Sequence, residues 1–293
     1  MSILEAIIMG LVQGLAEFLP ISSSGHLAIF RQILHIEVET GLLFDVLLHF
    51  GTLVAIFAAF WKDVRALVYE GFCIIGDFFR NIGIAVANLF AGKDKKREYV
   101  PMAATPYRRF VLLVIVSTIP TGILGILLQD VLETAAAGIL VPGVLLLVTG
   151  VLLLVADHMP SGTVTEENAS YPKALLLGIA QGAATLPGLS RSGTTIAAGL
   201  FCGFDRSFAV RYSFLMSIPA VLGAALLELR DFNPATVASS ELAAYAVGTA
   251  VAAVIGYISI KTMLVIVRGT KFQYFSYYCF FVGAVAVGAY FIV

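Results

Sequence analysis

Residues 13–26 read QGLAEFLPISSSGH, and residues 181–194 read QGAATLPGLSRSGT. A shift of 168 lays the first on the second: Gly10 falls on Gly178, Gln13 on Gln181, Gly14 on Gly182, and Ser22, Ser24 and Gly25 on Ser190, Ser192 and Gly193. The same shift carries Lys62-Asp63 onto Arg230-Asp231, far downstream of either loop. One register that serves both a polar loop and a distant helix end indicates an internal duplication. Each stretch interrupts an apolar segment, 3–35 or 172–203. A membrane helix needs about 20 mostly apolar residues, and these two segments are too broken to qualify. The plainer reading is an ordinary helix with its polar loop at the surface. The pattern of short helix, Pro/Gly/Ser loop and short helix favours a re-entrant hairpin, with irregular backbone buried in protein and not in lipid.

The rest of the chain makes lipid the expected solvent. It is 59% hydrophobic and 13% charged, with a mean hydropathy of +0.95, where a soluble domain is about a quarter charged. A net charge of −1 excludes the basic field expected of a nucleic-acid binder. Cys73, Cys202 and Cys279 have neither metal-ligand nor disulfide spacing and read as packing residues. The opening segment has no basic region before its apolar run and carries Glu5, Gln13 and Glu17, so it reads as mature chain and not as a signal peptide.

Six segments are long and apolar enough to span: 41–61, 108–129, 138–157, 207–229, 242–265 and 274–293. Segment 64–100 is apolar but holds Asp77 and Arg80 mid-stretch and the run Lys93 to Arg97, so it is expected along the interface as an amphipathic helix. Three spans then separate the two loops. An odd number inverts the second half, so the hairpins enter from opposite faces and meet near the midplane. The expected fold is therefore an all-α integral membrane protein, with six transmembrane helices and two re-entrant hairpins in an inverted repeat. It forms one membrane domain over 1–293: repeat one about 1–135, a linking span about 138–157, and repeat two about 172–293. Lys and Arg crowd the loops at 62–109, 158–206 and 266–273, which the positive-inside rule makes cytoplasmic. Both termini and the mouth of the first hairpin then face outward.

The chemistry concentrates in the two loops. Gln13 and Glu17 are four apart and share a helix face. A carboxylate in apolar surroundings must be paired, metal-bound or protonated, unless it snorkels to water. Ser22, Ser23 and Ser24 exceed what one helix cap needs and, with free N–H groups behind them, suit an anion. His26 follows them at once and is a candidate for proton transfer, although a lone histidine is often only packed. Arg191, inside the second loop, is a planar two-pronged donor flanked by Ser190, Ser192, Thr194 and Thr195. That set describes a phosphate receptor, the alternative being a structural ion pair with Glu17. His49, on the following helix, is a weaker candidate. The spacing alone does not separate phosphate binding from phosphate cleavage.

EFLPISSSGH together with PGLSRSGTT, supported by FDVLLHFGT and YSFLMSIPA, resembles the bacterial undecaprenyl-diphosphate phosphatases, the bacitracin-resistance family, over nearly the whole chain. The resemblance implies hydrolysis of undecaprenyl diphosphate to the monophosphate and phosphate in the bacterial inner membrane, recycling the carrier of cell-wall synthesis. It implies a divalent metal, Mg or Ca, and assigns Ser23, His26 and Arg191 as catalytic, with Ser190 and Thr195 in support. The family's first motif places Glu or Gln four residues before Glu. This chain carries the Gln form, which leaves one carboxylate, Glu17, beside Gln13 at a metal site. Ser23 as nucleophile with His26 as its base, and His26 activating water directly, are both open. The competing function is a polyprenyl-phosphate transporter or flippase, which an inverted repeat also suits.

Overall fold

The computed structural model describes residues 1–34, 41–92, 96–136, 138–230, 241–269 and 271–292. Lys93, Asp94, Lys95 and Asp231, used above for charge and for the repeat, lie outside them. The described chain is helical and contains no strand. In order the helices are α1 (Ile3–Ala16), α2 (Ser23–Leu34), α3 (Gly41–Ala59), α4 (Trp61–Phe90), α5 (Pro106–Leu127), α6 (Gln129–Ala136), α7 (Leu140–Asp157), α8 (Tyr171–Ala183), α9 (Arg191–Phe201), α10 (Arg206–Arg230), α11 (Glu241–Ile266) and α12 (Phe272–Ile292).

Local chemistry sets the breaks. Ser2 and Glu5 form a reciprocal capping box that starts α1. Thr105 caps α5 ahead of Pro106, whose fixed φ suits a first helical position. Between α1 and α2 the chain turns at Ser22, whose φ of 70° is left-handed. Between α8 and α9 it turns at Gly188, with a φ of +98°. A Cβ at Gly188 would stand 2.2 Å from the Pro142 carbonyl oxygen, so both the conformation and the space require glycine there.

The helix surfaces are patterned for lipid. Ile115, Ile119, Ile123 and Ile126 form an exposed stripe on α5, and Val141, Val144, Val148, Val151 and Val155 form another on α7. A water-soluble bundle would turn such stripes inward. Six helices are long and apolar enough to cross a membrane: α4, α5, α7, Arg206–Leu226 of α10, α11 and α12. The number agrees with the sequence reading, but the membership differs. The stretch expected along the interface as an amphipathic helix at 64–100 is helical over its first part, within one unbroken 30-residue helix that by length and composition could also span, and the expected span at 41–61 is represented by the shorter Leu43–Ala59. Two acidic residues of α4 are paired, Glu70 with Arg108 at 2.8 Å and Asp77 with Arg108 at 2.7 Å, while Arg80 is exposed.

After α4 the chain doubles back along it. Asn88 is hydrogen-bonded to Arg97, Asn81 to Val100, Glu70 to Thr105 and Asp63 to Tyr107. The non-helical segment thus runs antiparallel to α4 and starts α5 beside the residues with which α4 began.

The helix packing is paired. α1 lies along α11, α8 along α5, and α7 along α12, while α3 and α10 contact each other. Gly10 permits the first pairing, because a Cβ there would lie 2.4 Å from the Gly248 carbonyl oxygen. Gly178, its counterpart in the duplicated register, does the same for the second, at 2.1 Å from the Ser117 carbonyl oxygen. The interior is apolar and aromatic around Phe18, Phe60, Phe110, Phe204, Phe208, Tyr212 and Phe214. The two polar loops are set into this interior.

Candidate active site

The two loops meet tip to tip. A Cβ at Gly25 would stand 3.0 Å from the Gly188 Cα, and one at Gly193 would stand 3.2 Å from the Pro20 Cβ. Ser192 Oγ donates to the Leu19 carbonyl at 3.3 Å, stitching α9 to the first loop. On α7, Thr149 donates to the Gly188 carbonyl at 3.1 Å and accepts from the Ser190 N–H at 3.0 Å, which fixes the second loop from behind.

The loops also share an internal geometry. Ser22 Oγ lies 3.4 Å from Ser24 Oγ and accepts from the Gly25 N–H at 3.3 Å. Ser190 Oγ lies 3.4 Å from Ser192 Oγ and accepts from the Gly193 N–H at 3.1 Å. Ser22 and Ser190 thus cap the starts of α2 and α9, each through its side-chain oxygen.

Glu17 sits at the centre. Its side chain is 5% exposed and pairs with Arg191, with Nη2 2.7 Å from Oε1. Ser23 Oγ donates to Oε2 at 2.5 Å, and Gln13 Nε2 donates to the same oxygen at 3.2 Å. Removing one partner of a buried ion pair typically costs about 3–5 kcal/mol, so the pair locks the hairpins together as well as holding the charges. Two groups at the junction keep unused capacity. Arg191 Nη1 and Gln13 Oε1 are buried without a hydrogen-bond partner, and Thr194 Oγ1 is a third such atom on the same helix as Arg191.

Glu17, Ser23, Arg191 and Gln13, all singled out in the sequence, are therefore brought into contact. His26 is buried next to them, but its hydrogen bonds run elsewhere. Nδ1 lies 2.7 Å from the Ser22 carbonyl oxygen, and Nε2 lies 2.9 Å from the Tyr278 hydroxyl. The residue hydrogen-bonded to Ser23 Oγ is Glu17, not His26. His49 is bonded through Nδ1 to the Asp45 carbonyl at 2.9 Å and lies within electrostatic reach of Glu17. Thr195 is drawn away from the junction: its hydroxyl is engaged by the Arg191 carbonyl at 2.8 Å and by Ser213 Oγ at 2.6 Å, joining α9 to α10. Thr149 and Tyr278 escaped sequence reasoning. Thr149 is one hydroxyl in the apolar run VLLLVTGVLLLV, and Tyr278 is one of three tyrosines in FQYFSYYCFF, so nothing local marks either.

No group of three or more His, Cys, Asp or Glu side chains able to hold a metal occurs among the described residues. Gln13 Oε1 and the Glu17 carboxylate nevertheless offer hard oxygen donors one helical turn apart, and Gln13 Oε1 has no other partner. Such a pair fits a cation that takes its remaining ligands from phosphate and water, as Mg commonly does.

A family model described as Bacitracin resistance protein BacA matches residues 6–285. The chain is 46% identical over 288 residues to the undecaprenyl-diphosphatase of Methanosphaera stadtmanae, covering 98% of each. It is 40% identical over 286 residues to that of Methanobrevibacter smithii, covering 97% of this chain and 96% of the relative. With that of Halothermothrix orenii it shares 39% over 287 residues, covering 98% of each. The likeness first seen in two loops thus extends from end to end, and the chain belongs to the bacitracin resistance protein BacA family.

Proposed function

We propose that this chain hydrolyses undecaprenyl diphosphate to undecaprenyl phosphate and inorganic phosphate, recycling the lipid carrier of cell-wall synthesis. The observation that carries this reading is the contact set of Glu17, which binds Ser23 through one oxygen and Arg191 through the other. A hydroxyl held against a carboxylate, beside a guanidinium with an unused N–H, is a nucleophile, a base and a phosphate clamp in one cluster. The names of the relatives point to the same substrate.

In this mechanism Arg191 Nη1 and the N–H groups at the starts of α2 and α9 hold the terminal phosphate. Ser23 Oγ attacks its phosphorus as the hydroxyl proton passes to Glu17 Oε2. The bond to the bridging oxygen breaks, and undecaprenyl phosphate leaves. His26, free of Ser23, takes a proton from the water that attacks the phosphoserine; the bond from phosphorus to Ser23 Oγ breaks, Glu17 returns its proton to that oxygen, and phosphate leaves. Gln13 and Glu17 would hold a Mg or Ca ion together with diphosphate oxygens, and such an ion would supply neutralisation of the charge that develops in phosphoryl transfer. Purified protein given undecaprenyl diphosphate should release inorganic phosphate, should stop when a chelator removes divalent cations, and should resume with Mg or Ca. Binding of the lipid with no phosphate released would instead support a transporter or flippase built on the same site, and release undiminished by chelation would remove the metal.

The proposal includes an orientation in the plasma membrane. The packing of α1 along α11 and of α8 along α5 exchanges helices between the two repeats, as two-fold-related halves would. The return of the chain along α4 favours a place at a membrane surface: its exposed Arg97 and Glu98 carry charge that hydrocarbon does not accommodate. α4 then lies along the cytoplasmic surface, and α3, α5 and α7 supply the three crossings between the loops. Single cysteines, on a background without Cys73, Cys202 and Cys279, check this. Glu98→Cys and Ser161→Cys should react only once the cytoplasmic face is opened, and Gly138→Cys should react from outside. Reaction of Glu98→Cys from the same side as Gly138→Cys would put α4 across the bilayer and refute its placement along the cytoplasmic surface.

A further inference from the structure

His26 is held at both ring nitrogens, and the two partners dictate its state. Nδ1 faces the Ser22 carbonyl oxygen at 2.7 Å. A carbonyl only accepts, so Nδ1 carries the proton and donates it. In the neutral ring Nε2 is then a bare lone pair, and the Tyr278 hydroxyl 2.9 Å away must be the donor to it. The imidazole and phenol rings lie nearly parallel, 8° apart, with centroids separated by 5.5 Å. Ser22, which supplies the carbonyl, has the one positive φ found at a non-glycine residue among the described residues. A left-handed serine is a sparsely populated conformation kept only where its surroundings enforce it. Tyr278 belongs to neither hairpin. It stands on α12, which meets the first loop again one residue further on, where Cys279 Sγ contacts the Pro20 carbonyl oxygen at 3.8 Å.

We infer that Tyr278 is a positioning residue of the hydrolytic site: with the Ser22 carbonyl it fixes His26 as the Nδ1-protonated tautomer and sets the direction of its basic Nε2. The inference rests on reading the site as a diphosphate hydrolase. Its chemical content is the choice of tautomer. An imidazole carrying its proton on Nε2 would present a donor where a base is needed, and which nitrogen is protonated is set by what the other one bonds. The bond from the Tyr278 hydroxyl to Nε2 is only partly buried, so protein does not seal this side of the imidazole. A water that takes the place of this hydroxyl meets a lone pair already aimed at it. α12 thereby becomes a third contributor to a site whose other parts come from the two loops.

Tyr278→Phe in the full-length protein is the test, because it keeps the ring and removes only the hydroxyl. With undecaprenyl diphosphate, kcat should fall about tenfold to a hundredfold, as for other groups that orient a functional histidine, while kcat/KM changes by less than about threefold, because His26 acts after the phosphoserine has formed. Tyr277→Phe, at an exposed neighbour (56%), should match the parent. Nitrogen NMR of histidine-labelled protein reads the imidazole directly, with the His26 signal identified through His26→Asn. The parent should show protonated Nδ1 and unprotonated Nε2, and Tyr278→Phe should shift the Nε2 resonance. A drop in kcat with the His26 resonances unmoved would make Tyr278 merely structural and overturn the inference, as would unchanged kcat. Should Tyr278→Phe fail to purify as a single species, the parent spectrum decides alone: a proton on Nε2 of His26 refutes the arrangement. A parent protein that releases no phosphate at all defeats the hydrolase reading, and the spectra still judge the Tyr278–His26 bond.

Discussion

Glu17→Gln is expected to lose at least about a hundredfold in turnover, the low end of what a positioned base contributes, while inserting and purifying as the parent does. The substitution keeps the shape of the side chain and its bond to Ser23, but a neutral amide takes up no proton and gives Arg191 no charge. Ser23→Ala should lose a comparable amount, and the double variant should be little worse than either single one, because a nucleophile and its base act as a unit. Phosphate release from undecaprenyl diphosphate measures all three. Ser23→Ala working within about tenfold of the parent rules out the phosphoserine route and leaves water as the nucleophile. Near-normal turnover by Glu17→Gln removes Glu17 from the chemistry altogether.

Arg191 should tolerate lysine poorly. A guanidinium can bond Glu17 through one nitrogen and phosphate through another, in a fixed plane, whereas an ammonium is a point charge on a flexible stem. In the structure Nη2 is committed to Glu17 and Nη1 is buried without a partner, which is the division of labour a lysine cannot reproduce. Arg191→Lys should therefore cut kcat/KM by about a hundredfold or more, about 2.7 kcal/mol of transition-state stabilisation. Arg191→Ala should be at least as inactive and also less stable, since it strands Glu17 as a buried charge at about 3–5 kcal/mol. Thermal unfolding in detergent separates the two effects. A lysine variant close to full activity would show that positive charge alone suffices.

Much of this site could be read in the sequence because the bilayer makes polar residues conspicuous. Glu17, Ser22–Ser24, His26 and Arg191 stand out from apolar runs, and the duplicated register tied the two loops together before any contact was known. The limits had equally physical causes. The pairing of Glu70 and Asp77 with Arg108 could not be read, because it depends on a fold that brings residue 108 back beside residue 70. Thr195 looked like Thr194 in sequence, yet one hydroxyl is absorbed by Ser213 and the other is left without a partner, a distinction set by which side of α9 meets α10. His26 takes one partner from the neighbouring Ser22 and the other from Tyr278, 252 positions away.

The ion pair between Glu17 and Arg191 joins residues 174 positions apart, and this imposes a timetable on biosynthesis. At about 5–20 residues per second, the ribosome delivers the guanidinium roughly 10–35 s after the carboxylate. Throughout that interval Glu17 has no cation of its own to settle against, and a lone carboxylate does not rest in apolar surroundings. The first hairpin therefore waits near the membrane surface, or carries a proton on Glu17, until the second hairpin arrives. Half of the machinery is made early and completed late, and the nascent chain holds no working site until its final third is being inserted.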